Sequence, residues 1–211
     1  MPYGYLGQNT PNQTVSNSGV FSISDVASLE KQGKFGGSLE LIEEQIITSS
    51  TASVDFTDLK NYDVHYLTYE NAHTDTNPND EINIRVSNNG GSTFISSGYQ
   101  YANQIGNSSG FFAEVKSTSW DSFRQGNDTG ADVNECVNGY CYLYNLLNSS
   151  KYSFTTHHNF SFDRNPYGRF GFGGAVLPTA ETHNAIRVFF LNGNIVEANI
   201  KLYGVKQLWV L

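Results

Sequence analysis

Positive charge is scarce in this chain. Twelve lysines and arginines stand against twenty aspartates and glutamates, a net charge of −8. Affinity for nucleic acid rests on cationic contacts to phosphate, so this balance excludes nucleic acid as a partner. Long apolar runs are missing too. No stretch reaches the roughly 18 apolar residues of a spanning helix, so no membrane partner is expected. The opening "MPYGYLGQNTPNQ" lacks the basic-then-apolar order of a secretory signal, which predicts a chain made in the cytoplasm. Sequons at Asn12, Asn107, Asn127, Asn148 and Asn159 are then read as the chance yield of Asn/Ser/Thr-rich loops. Two cysteines cannot make a disulfide framework, and no second Cys pair or spaced His pair accompanies them; neither metal nor cofactor is expected.

What is abundant is Tyr (13), Phe (14) and Gly (20), while charged residues make up only 15%. This mixture suits twisted strands and tight turns. From Ser38 onward apolar residues alternate: Leu39 and Leu41, then Val54 and Phe56, then Val64, Tyr66 and Thr68 opposite His65 and Leu67, then Ile82, Ile84 and Val86. Further strands are predicted near 94–102, 111–117, 140–146, 151–162, 169–177, 184–191 and 195–203. Asn89-Gly90-Gly91, Asn138-Gly139, Asn148-Ser149-Ser150 and Asn192-Gly193 separate them. The runs "NAIRVFFL" and "IVEANIKLYGV" meet at Asn192-Gly193-Asn194 and read as a closing β-hairpin. Eight or more short strands without intervening helices predict an all-β chain built as an antiparallel β-sandwich. Long returns around 70–80 and 118–133 fit Greek-key crossovers and favour a jelly roll.

Residues 1–37 differ in composition. They are rich in Gly, Asn, Ser and Gln, with Tyr3, Tyr5, Leu6, Val20, Phe21, Val26 and Leu29 as the apolar anchors. One small helix is predicted there: Ser24 or Asp25 caps it, Val26, Leu29 and Glu30 follow at helical spacing, and Gly33 stops it. Two or three turns make no core alone, so this arm must lie on its own domain, on another copy or on a partner. The expected organisation is a 1–37 arm and a 38–211 sandwich domain.

Asn138-Gly139 is the strongest two-residue hairpin signal in the chain, because a type I′ turn needs positive φ at both central positions. That turn would set Cys136 opposite Cys141, where a cross-strand disulfide is geometrically allowed. Two reduced thiols fit the sequence equally well.

Several motifs are weaker. "DTNPND" (75–80) opens like a calcium loop, with oxygens at Asp75, Asn77 and Asn79, but Asp80 stands where glycine is needed and Val86 where a glutamate is needed. "SNNGGSTF" (87–94) fits the Asp-box turn of sialidase propellers, with Asn89 for Asp and Phe94 for Trp; one copy supports a turn, not that activity. His157 and His158 are adjacent on a predicted strand and point to opposite faces, as do Glu43 and Glu44. His65, His73 and His183 are far apart in sequence, and no serine or cysteine sits in a nucleophile elbow. No catalytic residue is named, and no enzyme is expected.

Aromatics carry the remaining signal. "YCYLYN" sets Tyr140, Tyr142 and Tyr144 on one face, with Cys141 and Leu143 opposite. With one apolar face already supplied, the tyrosines are candidates for contact with another subunit or a glycan. Trp120, in "STSWDSFRQG", is a candidate sugar platform if exposed on a long loop, or a plug over one end of the sandwich.

The segments "SGVFSISDVASLEKQGKFGGSLELIEEQ", "SVDFTDLKNYDVHYLTYENA", "NGYCYLYNLLNSSKYSFTTHHNF" and "NAIRVFFLNGNIVEANIKLYGV" together resemble a family of small virion structural proteins of marine tailed phages, notably those of cyanobacteria. The likeness spans nearly the whole chain. "MPYGYLGQ", the "YLYN…SSKY" block and the closing "GNI…LYG" are its most specific parts. It implies a non-enzymatic component of the virion, a head decoration or fibre or a tail accessory. It also implies attachment to major capsid or tail proteins through the N-terminal anchors, and assembly as a homo-oligomer, expected to be a trimer. A host-surface glycan adhesin is the alternative.

Overall fold

The computed structural model describes residues 38–76 and 80–206, together with Ile23 and Ala27. Of the predicted helix only Ala27 is described, in helical conformation, as is Ile23; the rest of it and the anchors Tyr3, Tyr5, Leu6, Val20, Phe21, Val26 and Leu29 lie outside the described residues. By internal contacts the chain divides into Leu41–Val205 and a second unit of Met1–Glu40 with Lys206–Leu211.

Every element described over its full length is a strand. In chain order they are β1 (Leu39–Ile47), β2 (Val54–Phe56), β3 (Val64–Thr74), β4 (Asp80–Ser87), β5 (Tyr99–Asn107), β6 (Phe112–Trp120), β7 (Phe123–Thr129), β8 (Val137–Tyr144), β9 (Ser153–Phe162), β10 (Gly168–Leu177), β11 (Ala185–Phe190) and β12 (Ile195–Val205). They form two sheets whose registered pairs are all antiparallel. One has eight strands in the order β1-β12-β3-β8-β9-β10-β5-β6, the other four in the order β2-β11-β4-β7.

The alternating positions decide which side of each sheet is dry. Val54, Phe56, Ile82, Ile84, Val86, Ile186 and Val188 of the smaller sheet are buried in one cluster with Leu67, Tyr69, Cys141, Leu143, Ile200 and Leu202 of the larger. Burying each such aliphatic side chain is worth roughly 1.5–3 kcal/mol. The other face of the large sheet carries the alternate residues of the same strands.

Three sequence expectations are corrected here. β11 and β12 do not form the expected hairpin: β11 pairs with β2 and β4, whereas β12 pairs with β3 in the other sheet. Asn192-Gly193 is the corner between the sheets, held by carboxylates. Asp80 Oδ2 accepts the amides of Asn192 (2.9 Å) and Gly193 (2.7 Å), and Asp75 Oδ1 accepts that of Asn194 (2.8 Å). Asp75 and Asp80 of the calcium-like segment are therefore engaged with this corner; Asn77 and Asn79 lie outside the described residues.

Asn138-Gly139 makes no turn either. It lies inside β8, with Gly139 paired to Tyr69 on one side and Asn159 on the other. The glycine is required by close approach, since a Cβ there would stand 2.6 Å from the Asn159 Cβ and 2.8 Å from the Tyr69 ring. With Cys136 and Cys141 on one extended run, five residues separate them by about 16 Å and turn them to opposite faces, beyond disulfide reach. Both are free thiols.

The expected loop around 118–133 contains a strand, β7, at the edge of the smaller sheet. Its polar sequence "FRQGNDT" is bulged at Gly126 (φ +61°). Carbonyls along β7 are satisfied from the other sheet. Asn103 Nδ2 donates to Arg124 O (3.1 Å), Asn159 Nδ2 to Gln125 O (2.7 Å) and Ser161 Oγ to Asp128 O (2.5 Å).

Candidate functional site

The polar side chains that chemistry would need are engaged in structure. Glu81 is buried against Arg124 (2.8 Å), whose Nη1 also donates to the Tyr101 hydroxyl (2.7 Å). Burial raises the Glu81 pKa against the pull of that guanidinium. Arg169 spans Asp128 (2.8 Å) and the fully buried Asp163. Arg187 holds Asp55 with two 2.7 Å bonds. Such geometry braces loops and strand ends. Histidines are spread as their sequence separation suggested. His65 Nε2 donates to Leu59 O (2.7 Å), and His183 Nδ1 meets Ser153 Oγ (2.7 Å). His157 is buried with neither ring nitrogen hydrogen-bonded, and burial lowers its pKa to about 4. No group of three or more potential metal ligands occurs among the described residues.

Asn159 of one sequon is buried and donates to Gln125 O (2.7 Å), so its amide is already occupied. Asn107 caps its own turn, accepting from the amides of Ser109 (3.1 Å) and Phe111 (3.2 Å). Asn89 of the Asp-box-like segment does the same, accepting from Thr93 N (3.0 Å) and from Ser87 Oγ (2.8 Å).

What stands out is the outward face of the large sheet. Registered neighbours across it form rows of side chains: Tyr203, Tyr66, Tyr142 and Thr156 in one, Lys201, Thr68, Tyr140, His158, Phe172, Gln104 and Glu114 in the next. Tyr66 is the hub of the tyrosines, with ring centroids 4.9 Å from Tyr142, 5.6 Å from Tyr140 and 6.1 Å from Tyr203. Tyr144 stacks on Tyr142 at 6.2 Å. Tyr140, Tyr142 and Tyr144 thus share the face their spacing predicted, with Cys141 and Leu143 buried behind them.

Beyond the tyrosines lies a field of phenylalanines. Phe170 and Phe172 stack at 6.1 Å, and Phe112 meets Phe170 at 5.6 Å. Phe154, Phe160, Phe162 and Phe112 remain exposed, Phe112 at 65%. Glycines let the rings lie flat: a Cβ at Gly106 would stand 2.5 Å from the Phe170 ring. Concavities interrupt this surface. One, of about 880 Å³, is lined by Gln100, Ala102, Lys116, Thr118, Phe154 and Val176 among others. Another, about 320 Å³, lies between Tyr66 and Tyr140 beside Glu70, Asn138 and His158.

Trp120 is elsewhere. It ends β6 instead of occupying a long loop, and it turns inward, its ring edge-on to Tyr101 (5.6 Å) and under the Arg124 guanidinium (5.5 Å). That is the placement of a plug, because a half-buried indole in the core margin offers no open ring face for a sugar. The phenylalanines were the part of the site the aromatic reading did not single out. The signal was present in β9, where "SFTTHHNFSF" alternates at period two.

Comparison of the chain with protein-family models, with curated proteins and with solved structures gives no match.

Proposed function

We propose that this chain is a non-enzymatic structural component of a tailed-phage particle, attached through residues 1–37 and displaying its β-domain. The observation that carries the reading is the outward face of the eight-stranded sheet. Contiguous exposed Tyr and Phe side chains on a sheet already buried on its other side mark a surface made for contact. The engagement of Glu81, Asp128, Asp163 and Asp55 in ion pairs supports a scaffold over a hydrolase. The sequence likeness to marine phage virion proteins supplies the kind of particle.

The two sheets are read as the layers of a β-sandwich with jelly-roll wiring. Set aside the β5-β6 and β9-β10 hairpins, and the remaining strands run β1-β12-β3-β8 and β2-β11-β4-β7. Neighbours then come from opposite ends of the chain, as in a long hairpin rolled into a barrel, and this order supports the jelly roll. The hairpins extend one layer sideways and create most of the phenylalanine field.

The test is purification of the particles that encode the chain. The protein is expected in them at a fixed ratio to a capsid or tail protein, and a Tyr5→Ser/Phe21→Ser/Leu29→Ser variant is expected to be lost from them. Its absence from particles would refute the reading.

A host-glycan adhesin is the second reading, favoured by the concavity between Tyr66 and Tyr140, where hydroxyl, amide and carboxylate groups flank aromatic faces. Glycan-array binding removed by Tyr140→Ala would select it.

A further inference from the structure

We infer that β6 is an interface between two copies of this chain, joined antiparallel about a two-fold axis through Val115. The inference does not depend on the particle reading. β6 closes the eight-stranded sheet, and among the described residues no strand flanks its outer edge. It runs nine residues without proline. An edge of that length presents a row of unpaired backbone donors and acceptors and is a template for another strand.

Its charges select the partner. Glu114 and Lys116 lie on the outward face, both largely exposed, and within one copy they pair only with each other at 3.3 Å, a contact that exchanges for the cross-strand one. In an isologous pairing centred on Val115, Glu114 of each copy opposes Lys116 of the other. Two cross-strand ion pairs then form at the close distance of opposed side chains. Moving the centre to Glu114 sets glutamate against glutamate, and moving it to Lys116 sets lysine against lysine, and of the registers along β6 only the one centred on Val115 opposes Glu114 with Lys116. The opposite edge, β1, contains Glu40, Glu43 and Glu44 and no cation, which disfavours self-pairing there.

The apolar surface fits the same register. Phe112, the most exposed ring of the outward face, comes beside Thr118 of the second copy. Thr118 lies on the wall of the 880 Å³ concavity, whose Phe154, Val176 and Ala102 offer the ring an apolar seat. The contact occurs twice by symmetry. The net result is one sheet running through both copies, with their aromatic faces continuous.

Native mass spectrometry and light scattering of the full chain test this. The expected mass is that of two 23.4 kDa chains. Either single substitution, K116E or E114K, places like charges opposite each other twice and is expected to raise the dissociation constant roughly tenfold or more. The double variant E114K/K116E restores the opposition and is expected to restore the two-copy mass, an outcome a folding defect would not give. A monomer at every concentration, three copies, or single variants that associate as the parent does would each overturn the proposal.

Discussion

The Asn159 side-chain amide, on the eight-stranded sheet, donates a 2.7 Å hydrogen bond to the backbone carbonyl of Gln125, on the edge of the four-stranded sheet. Both groups are buried. With Asn103 and Ser161 it converts an edge strand into a satisfied one without a fifth strand beside it. Asn159→Leu strands the Gln125 carbonyl away from water, at a cost of about 1–3 kcal/mol. Urea denaturation should show a lower midpoint with an unchanged slope.

That bond also explains what the sequence conceals. In β9 the alternation is plain, yet its polarity is reversed: Ser153, Thr155, His157, Asn159 and Ser161 point inward while Phe154, Phe160 and Phe162 point out. Period two tells which residues share a face but not which face is dry. Asn159 and Ser161 of the inward polar row donate to carbonyls of β7, which lies across it, and β7 reads as a loop because its side chains are polar and it is broken by Gly126. Each feature is illegible without the other. β3, β4, β11 and β12, whose apolar rows pack on apolar rows, were legible as strands. The two Asn-Gly pairs misled because they report local backbone tolerance. At 139 a glycine serves the approach of Tyr69, and at 193 it serves a corner between sheets.

Gly139→Ala tests the reading of that position as a packing site. The new methyl would press on the Asn159 Cβ at 2.6 Å and the Tyr69 ring at 2.8 Å, both held in the core. Overpacking of this kind costs roughly 1–3 kcal/mol. A thermal melt of the variant should fall accordingly, and Gly90→Ala, where a Cβ would meet nothing within 4 Å but φ is +70°, supplies the contrast of backbone strain alone.

The cysteines should behave as two separate thiols. Cys141 is fully buried, and burial pushes its pKa up to about 12. The thiolate is the reactive species, so Cys141 should be inert toward a thiol reagent in the native protein. Cys136 is only half-buried and precedes β8. Titration with a chromogenic disulfide should therefore count one thiol under native conditions and two in denaturant. Gel mobility should be the same with and without reductant; an oxidised, faster species would contradict the extended path of β8.

Acid should destabilise the fold through its buried histidines, His157 above all. Burial, with a smaller contribution from neighbouring His158, lowers the His157 pKa from 6.5 to about 4, and burial also lowers those of His65 and His183. Above pH 6.5 the ring is neutral in both folded and unfolded chains and contributes no pH dependence. Below it the unfolded chain takes up a proton that the folded chain refuses, so stability falls until the folded ring also protonates near pH 4. The slope approaches about 1.4 kcal/mol per pH unit, for a total of about 3 kcal/mol. Glu81 and Asp128, whose buried carboxyls bind protons more readily when folded, act in the opposite direction at the acid end of this window. Subtracting a variant isolates the histidine. His157→Leu removes two ring nitrogens that have no hydrogen-bond partner, so at pH 7.5 its stability should match or exceed that of the parent. As the pH falls from 6.5 to 5 the variant should gain on the parent by nearly the full slope. Parallel stability curves would mean that His157 is protonated or solvated in the folded protein.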